Sequence, residues 1–376
     1  MKRCILRRVL PFCILLLLLL SACGEKAGEA PLPDAEPPQV TASPEPIQTP
    51  PPTPTPTPEP APEPTPEPEP QYRNFLNGTP LEEPLLLRPF GVMVNNHIDA
   101  QPQCGIGNAD IIYEVLAEGN ITRMLCFYSD IAAAGTLGSI RSVRPYYQDI
   151  CLSYGAVLCH AGGSEDAYSR ISSMGIQNLD GVRGWYSIPV FYRDEARLSA
   201  HYDLEHTLFT DGQSLYDAAE LQKYPLTVTE DYDCGLTFRN DAEPTEGEEA
   251  GVVEVNFNKK TTTLTFHEDS GLYTAEQYDA PYADGLTGEA VEFRNLLLLY
   301  ANVAVIDDYG RLRVDLVGSG EGFYVCAGKR VPITWSKAGT YEPFHYQTAE
   351  GEDLTVCQGK TYIAILSPVN GTLTFS

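Results

Sequence analysis

A proline-rich tract covers residues 24–70 and leaves roughly 300 residues after it that can fold. The tract holds eighteen of the 31 prolines in the chain. Proline fixes φ and lacks an N–H group, so the tract cannot build helix or sheet and favours extended polyproline II. At about 3.1 Å per residue, a fully extended tract of this length would reach roughly 145 Å. The tract, with its flanks, predicts a disordered tether over residues 23–72 that holds a folded body away from its attachment point.

The segment before the tether has the pattern of a lipoprotein signal peptide. Four basic residues lie between Lys2 and Arg8, an apolar run covers residues 9–20, and small residues then lead to Cys23. This pattern predicts a signal peptide over residues 1–22, cleavage before Cys23 and lipidation of the Cys23 thiol with palmitate-like chains. The apolar run is too short for a membrane-spanning helix, which needs roughly 20 residues. We therefore expect a lipid-anchored protein on the extracytoplasmic face of the bacterial cytoplasmic membrane, with the membrane as a partner through the anchor.

The formal net charge of −26 limits the partners of the folded body. A surface this acidic repels nucleic acid and anionic headgroups, so the sequence predicts no nucleic-acid partner. Any cluster of cationic side chains stands out on such a background.

Seven cysteines follow the tether, at positions 104, 126, 151, 159, 234, 326 and 357. Several lie within apolar runs, where cysteine usually acts as a small buried hydrophobic residue. We expect mostly free thiols, and a Cys326–Cys357 disulfide stays open as an alternative. The spacing of the cysteines matches no zinc motif, and the sequence predicts no cofactor.

The periodicity of the remaining chain predicts an α+β fold in two parts. An N-terminal mixed α/β, sandwich-like domain is expected over residues 75–225, and a smaller, mostly antiparallel β domain over residues 226–376. In the first domain the pattern predicts strands at 88–95, 110–116, 122–128 and 156–160, and helices at 146–154, 165–174 and 212–222. In the second it predicts strands at 252–258, 262–267, 296–307, 312–316, 322–327, 330–335 and 361–366.

Two arginines, Arg141 and Arg144, precede Pro145, and proline favours the first position of a helix. Their positive charges would therefore lie at a helix N-terminus, where the backbone is already electropositive. Either a bound anion or an internal salt bridge to Asp110, Glu114 or Glu118 would relieve this conflict. Arg123, on a predicted strand, is the third arginine of the candidate anion-binding set.

A second candidate group follows a predicted strand that ends at His160. Gly162 and Gly163 permit a sharp turn, and Ser164 is suited to cap the next helix. Such a loop could cradle an oxyanion, but it is also an ordinary turn. His160 could act as an acid or base, or could be a hydrogen-bonded structural residue. Further along, His201, Asp203 and His206 do not match a metal-binding spacing, so we predict no metal site.

Several motifs resemble the YerB-like lipoprotein family, a bacterial group whose N-terminal and C-terminal domains have no assigned biochemical function. In the first domain they are Val94–His97, Gln101–Gln103, Ala109–Glu114, Glu118–Arg123, Arg141–Tyr146 and His160–Ser164. In the second they are Gly318-x-Gly320, Gly328-Lys329, Trp335 and Gly359–Thr361. The resemblance covers nearly everything after the tether. It departs at residues 205–209, where this chain has Glu-His-Thr-Leu-Phe and the family usually has Pro-His-Asn before an aromatic residue.

Two functions from different classes fit these patterns. The first is a lipoprotein that binds an anionic cell-wall component or an envelope protein through Arg123, Arg141 and Arg144, with the loop Gly162–Ser164. The second is an envelope phosphotransferase or hydrolase that acts on phosphate-linked glycan, with Asp110, His160, Arg193 and His206 as candidate catalytic residues. A weaker resemblance to the LytR-CpsA-Psr phosphotransferases motivates the second. In an enzyme, Asp110, His160 and the three arginines should line one cleft. Binding is the favoured hypothesis, and an enzyme is the alternative.

Overall fold

The computed structural model describes residues 70–240, 243–244 and 246–376. The predicted signal peptide (residues 1–22), the predicted lipidation site Cys23 and nearly all of the predicted tether (23–72) lie outside the described residues. At its C-terminal end the predicted tether overlaps the fold, because Tyr72 already pairs with Leu81. No helix within the described ranges is long and apolar enough to cross a bilayer.

In the described part of the chain, strands make up most of the regular structure, and the four α-helices found there are short. The helices are α1 (Pro145–Ser153), α2 (Glu165–Met174), α3 (Glu195–Ser199) and α4 (Gly212–Leu221). The strands are β1 (Tyr72–Arg73), β2 (Pro80–Leu81), β3 (Phe90–Asn95), β4 (Ile111–Leu116), β5 (Thr122–Tyr128), β6 (Thr136–Gly138), β7 (Val157–His160), β8 (Asn178–Asp180), β9 (Phe191–Arg193), β10 (Leu208–Asp211), β11 (Thr237–Arg239), β12 (Glu248–Glu249), β13 (Val252–Asn256), β14 (Thr261–His267), β15 (Leu272–Gln277), β16 (Ala280–Pro281), β17 (Glu292–Phe293), β18 (Asn295–Tyr300), β19 (Val303–Val305), β20 (Leu312–Val314), β21 (Gly318–Cys326), β22 (Lys329–Lys337), β23 (His345–Thr348), β24 (Thr355–Cys357), β25 (Thr361–Leu366) and β26 (Thr372–Phe375). Single-turn 3-10 helices cover Ile98–Ala100, Ile106–Asn108, Glu118–Asn120, Ala132–Ala134 and Leu204–His206.

An eleven-stranded mixed sheet is the centre of the fold and takes strands from both halves of the chain. Its order is β12-β22-β21-β18-β25-β4-β5-β3-β7-β8, with β23 paired to β22. Strand β25 lies between β18 and β4 and is parallel to both. The expected α+β class is confirmed at this level. Backbone hydrogen bonds between β25 and β4 join the two predicted parts within one sheet. The division into two domains near residue 225 stays a prediction from the sequence.

A second, antiparallel sheet of six strands has the order β16-β15-β14-β13-β26, with β17 paired to β15. Three shorter pairs, β1–β2, β11–β24 and β19–β20, lie outside the two large sheets. A three-stranded sheet, β6-β10-β9, places residues 208–211 between residues 136–138 and residues 191–193. This small sheet positions the segments that form the candidate site.

Alternate residues of the central strands belong to two separate apolar cores. In β3, Val92 and Val94 belong to a core that also contains Val253 of the second sheet. Met93 belongs to the opposite core together with Tyr147 of α1. Successive side chains of a strand point to opposite faces, so a strand covered on both sides reads as a continuous apolar run. This explains why the runs at 90–95 and 111–116 lack polar alternation.

A buried polar network crosses between the halves of the chain at Glu114 of β4, which has no exposed surface. Lys260 forms an ion pair with its carboxylate. Four further groups donate hydrogen bonds to the same carboxylate: Asn96, Thr122, Thr262 and Tyr362. Burial raises the pKa of Glu114, but Lys260 and these donors outweigh it and bring the pKa below its ordinary value. The network fixes Asn96, the residue immediately after β3, next to the candidate site.

Candidate anion-binding site

Two of the three candidate arginines share one carboxylate at an end of the large sheet. The Nη2 atom of Arg123 lies 3.2 Å from Oε2 of Glu118. Arg144 binds the same carboxylate through Nε and through Nη2, the latter at 3.0 Å. Burial raises the pKa of Glu118, but the hydrogen bond from Arg144 and the two positive charges bring it below its ordinary value. The sequence left two explanations open, a bound anion and an internal salt bridge. For Arg123 and Arg144 the structure has the internal salt bridge, and Glu118 is the acid.

Pro145 is the first residue of α1, and Arg144 occupies the N-cap position without a side-chain capping hydrogen bond. The expected conflict between Arg144 and the helix dipole is thus present, and Glu118 relieves it. Burial and the neighbouring charge of Arg144 lower the pKa of Arg123 to about 10. These two arginines share one carboxylate and form a fixed support that keeps one net positive charge (2 − 1).

Arg141 has a weaker partner. Its Nη2 atom lies 2.9 Å from Oε2 of Glu205, and the two side chains are 17% and 49% exposed. Among the described residues, the buried Nε of Arg141 has no hydrogen-bond partner. The backbone is fixed, because the Arg141 N–H donates to the Met93 carbonyl and the Arg141 carbonyl accepts from Ala161. Arg141 therefore has a fixed backbone and one unused donor, Nε.

His206 lies on the other side of the Glu205 carboxylate, with Nε2 3.6 Å from Oε1. Asn95 determines its tautomer. The Asn95 side chain accepts from the His97 N–H at 3.2 Å and donates to the Glu205 carbonyl at 3.3 Å, which fixes the orientation of the amide. The amide nitrogen therefore faces Nδ1 of His206 at 2.9 Å, so Nδ1 accepts and Nε2 carries the proton.

Burial lowers the pKa of His206, against the attraction of Glu205. The ring is therefore neutral at pH 7 and presents its Nε2–H group towards Glu205. Burial raises the pKa of Glu205, but Arg141, His206 and His97 outweigh it and lower the pKa. A carboxylate of the protein itself thus lies between a guanidinium and an imidazole N–H, in a position that suits an anion.

The loop Gly162–Ser164 supports the arginine segment with donors that are engaged inside the protein. The Gly162 N–H donates to Asp180 at 2.9 Å, and the Ser164 N–H donates to the Val143 carbonyl. The Ser164 hydroxyl accepts from the Ala167 N–H, as expected for the N-cap of α2. The oxyanion hypothesis required free backbone N–H groups in this loop. At Gly162 and Ser164 these N–H groups donate to other parts of the protein. The loop instead aligns residues 141–144.

The enzyme hypothesis required Asp110 close to the arginines. Asp110 immediately precedes β4, whereas Arg123 pairs with Val115 near the other end of that strand. At about 3.4 Å per residue, Asp110 and Val115 are separated by about 17 Å along the strand. The Asp110 carboxylate accepts from Asn77 and Ser129, and burial raises its pKa against these hydrogen bonds.

His160 is fully buried at the end of β7. Its two ring nitrogens face the Gly162 carbonyl at 2.8 Å and Oδ1 of Asn178 at 3.1 Å. Both nitrogens are occupied and neither is exposed, so the structural interpretation of His160 fits the geometry. Asp110, His160 and the three arginines do not line one cleft.

Comparison with known proteins agrees with the motifs of the sequence and with the fold. Residues 76–225 match the N-terminal domain of a protein family of unknown function, DUF3048, and residues 253–363 match its C-terminal domain. The chain is 28% identical over 283 residues to a protein of Bacillus subtilis (strain 168) named "Putative lipoprotein YerB"; the aligned part covers 74% of this chain and 81% of the relative. The chain belongs to the YerB-like family. The crystal structure of the YerB protein from Bacillus subtilis superposes with a TM-score of 0.69 at 25% identity, over 80% of this chain and 99% of that one.

In this YerB-like protein, two further arginines hold the loop that carries Glu205. Arg193 of β9, a candidate catalytic residue, donates to the Leu204 carbonyl and to Thr207. Arg197 is buried and donates to the backbone carbonyls of Ala100, Pro102 and His206. Both side chains therefore position residues 204–207, and neither is directed at a substrate in this arrangement. Sequence reasoning assigned no role to Arg197, because its acceptors are carbonyls that leave no pattern in the sequence.

A group of possible metal ligands, His97, Asp99 and His206, lies beside the site, with one ligand atom of each within 4.8 Å of the others. Sequence reasoning predicted no metal and gave His97 no role in the site. The tautomer of His206 argues against a preformed metal centre, because Nδ1 is occupied by Asn95 and Nε2 carries a proton. The His97 and His206 rings stack at 5.4 Å between centroids. We interpret the histidines as part of the anion site.

Proposed function

We propose that this protein is a membrane-tethered lipoprotein that binds an anionic ligand of the bacterial cell envelope, or an acidic group of an envelope protein. The predicted signal peptide (1–22), lipidated Cys23 and extended tether (23–72) would place residues 75–225 and 226–376 in the wall layer outside the cytoplasmic membrane. Membership of a family that includes the lipoprotein YerB supports the anchor.

The observation that supports binding is the position of Glu205. Its half-exposed carboxylate occupies a site formed by Arg141 and by the Nε2–H group of His206. A carboxylate or phosphate from outside can take the same place if Glu205 swings into solvent. Exposed ion pairs contribute about 0–1 kcal/mol, so displacement of Glu205 costs little.

The local charge also favours an external anion. Three guanidinium groups face two carboxylates, Glu118 and Glu205, which leaves a net charge of +1 (3 − 2). When Glu205 moves out, the three arginines and Glu118 carry +2 (3 − 1), with the Asp99 carboxylate on the far side of His206, on a chain whose net charge is −26. An anion bound there can accept from the unused Nε of Arg141 as well as from Nη2.

A cleft of about 470 Å³ adjoins the site at His206 and is also lined by Asp99 and Asp203. A ligand longer than a single anionic group would extend along this cleft. Because the cleft is acidic, the extension should be neutral or positively charged. A wall sugar with an attached carboxylate has the required combination of one anionic group and a neutral body.

Calorimetric titration of the full-length protein in detergent tests the proposal with two probes, N-acetylmuramic acid for a carboxylate and inorganic phosphate for a phosphate. We expect Arg141→Gln to weaken binding of the preferred probe about 10- to 150-fold, as for the loss of a charged hydrogen-bond donor worth about 1.5–3 kcal/mol. The matched control is Arg313→Gln, which removes an exposed arginine paired with Asp315 elsewhere on the protein.

The control should bind the probe as the native protein does. Selective binding of one probe identifies the ligand chemistry as carboxylate or phosphate. Equal affinity of the Arg141→Gln and native proteins for both probes, or no binding of either probe to the native protein, would overturn the proposed site.

A further inference from the structure

The cleft beside the anion site has two acids, and neither a lysine nor an arginine, among its lining residues. The acids are Asp99 and Asp203, and both are exposed. The cleft begins at His206, which also faces the Glu205 carboxylate that pairs with Arg141. A molecule bound through Arg141 and His206 would therefore extend towards two negative charges, which attract a cation.

The Asp99 carboxylate lies close to the anion site and has no counter-ion among the described residues. One of its oxygens is within 4.8 Å of a ring nitrogen of His206. Its Oδ2 atom lies 3.4 Å from Nδ1 of His97. The Asp99 N–H donates to that same nitrogen at 3.2 Å, so Nδ1 carries no proton and cannot donate to the carboxylate. Asp99 is therefore free to pair with a cation from outside.

A second observation points to a ligand in this cleft. His206 is 2% exposed, and its Nδ1 atom accepts a hydrogen bond from Asn95. Its Nε2–H group has no acceptor within hydrogen-bond distance in the described part of the chain, because the Oε1 atom of Glu205 is 3.6 Å away. An unsatisfied donor on a buried side chain costs free energy. An oxygen of a ligand at the mouth of the cleft would satisfy it.

We propose that the ligand is zwitterionic, with its anionic group at Arg141 and His206 and an ammonium group in the cleft beside Asp99 and Asp203. This inference rests on the proposed anion site and narrows its ligand class. Glu205 Oε1 marks the place of the anion, 3.6 Å from His206 Nε2, and Asp99 is within 4.8 Å of a nitrogen of the same ring. A spacer of about four to six bonds, at ~1.5 Å each, would join the two charges. An amino sugar that carries a carboxylate and a phosphate ester that carries an amine both have this chemistry.

Calorimetric titration of the full-length protein in detergent at pH 7, where such amines are mainly protonated, tests the inference with two matched pairs of probes. Muramic acid has a free amine where N-acetylmuramic acid has an acetamide. O-phosphoethanolamine has a terminal ammonium that ethyl phosphate lacks. We expect the amine-bearing member of the preferred pair to bind about 3- to 10-fold more tightly, as for one or two exposed charge pairs. The pair that binds more tightly identifies the zwitterion as a carboxylate or a phosphate.

The ratio of the two affinities within a pair isolates the contribution of the ammonium group. In Asp99→Asn this ratio should fall by about twofold or more, and in the double variant with Asp203→Asn it should fall to about 1. The matched control is Asp308→Asn, which removes an exposed carboxylate on the turn between β19 and β20 and should keep the native ratio.

The outcomes separate this inference from the anion site on which it rests. A native ratio of about 1, with Arg141→Gln still weakening both members of the pair, would overturn the zwitterionic ligand and leave the anion site in place. A preference for the amine that persists in the double variant would also overturn the inference, because the two acids would then not bind the ammonium. No binding of any of the four probes would overturn both the inference and the site.

Discussion

Removal of the Lys260 ammonium tests whether the buried network at Glu114 joins the two halves of the fold. In Lys260→Met, the Glu114 carboxylate keeps four hydrogen-bond donors but loses its buried counter-ion. Removing one partner of a buried ion pair costs about 3–5 kcal/mol, because the remaining charge stays in a low-dielectric environment. We expect the free energy of unfolding to fall by this amount, measured by urea denaturation of the full-length protein with circular dichroism.

The neighbouring Lys259 provides a matched control, since it is exposed while Lys260 is buried. Lys259→Met should change the free energy of unfolding by less than about 0.5 kcal/mol, as for an ordinary surface substitution. The double variant Glu114→Gln with Lys260→Met removes both charges and should be more stable than Lys260→Met alone. Equal losses in Lys260→Met and Lys259→Met would refute the argument that the network stabilises the fold.

The pH dependence of stability follows from the directions of the two pKa shifts. Burial raises the pKa of Glu114, but Lys260 and the surrounding donors lower it overall. The ionised Glu114 therefore contributes fully to the free energy of unfolding at pH values above the ordinary pKa of a glutamate. That contribution is lost as the pH falls through the lowered folded-state value. For Lys260, burial lowers the pKa despite the attraction of Glu114. The acid-dependent loss of stability should therefore be smaller in the Glu114→Gln and Lys260→Met double variant than in the native protein.

Two further substitutions test how the site and the sheet are held. Arg197→Gln leaves the buried carbonyls of Ala100 and His206, and the carbonyl of Pro102, without their donor and should lower the free energy of unfolding by about 3 kcal/mol. Arg183→Gln, at an exposed ion pair, should have little effect, and urea denaturation distinguishes the two variants. Gly320→Ala would place Cβ 2.6 Å from Nε1 of Trp335 and should cost about 1–3 kcal/mol, with unfolding followed by tryptophan fluorescence. Gly339→Ala, where the nearest atom lies 3.6 Å from the added Cβ, is the control and should be nearly neutral.

Local sequence patterns predicted the strands and helices whose boundaries are marked by nearby residues. Strand β5 covers residues 122–128 as expected, and α2 covers residues 165–174. Ser164 caps α2 and Gly175 ends it in the left-handed region, so both boundaries are encoded within a few residues. The short strands β8–β12, β16 and β17 were not expected, because two to four residues carry no period that a sequence pattern can show.

The pairing between distant segments could not be predicted in the same way. Strand β25 was expected within a mostly antiparallel C-terminal domain, yet it lies parallel to β4 of the N-terminal part. Both of its faces are apolar, and such a strand accepts neighbours on either edge without a local signal. Its position between β18 and β4 is a property of the complete sheet.

The candidate site shows the same limit. The sequence placed Arg141 and Arg144 at the start of a helix and gave Glu118 as one of three possible acidic partners. In the structure, Arg144 lies at the N-cap and pairs with Glu118. The partner of Arg141 was not predicted, because Glu205 is 64 residues away (205 − 141) and was noted only as a departure from the family pattern. The contact between Asn95 and His206 joins segments 111 residues apart, and a single sequence does not reveal such a pairing.

The most direct test of the proposed site is the effect of Glu205→Gln on anion affinity, measured by calorimetric titration of the full-length protein with the probe that the native protein prefers. If Glu205 competes for the position between Arg141 and His206, the variant should bind up to about fivefold more tightly, corresponding to the loss of a competing ion pair worth up to about 1 kcal/mol. Arg141→Gln should change affinity in the opposite direction. Unchanged or weaker binding by Glu205→Gln would contradict the account, because the carboxylate of Glu205 would then not occupy the place of the ligand.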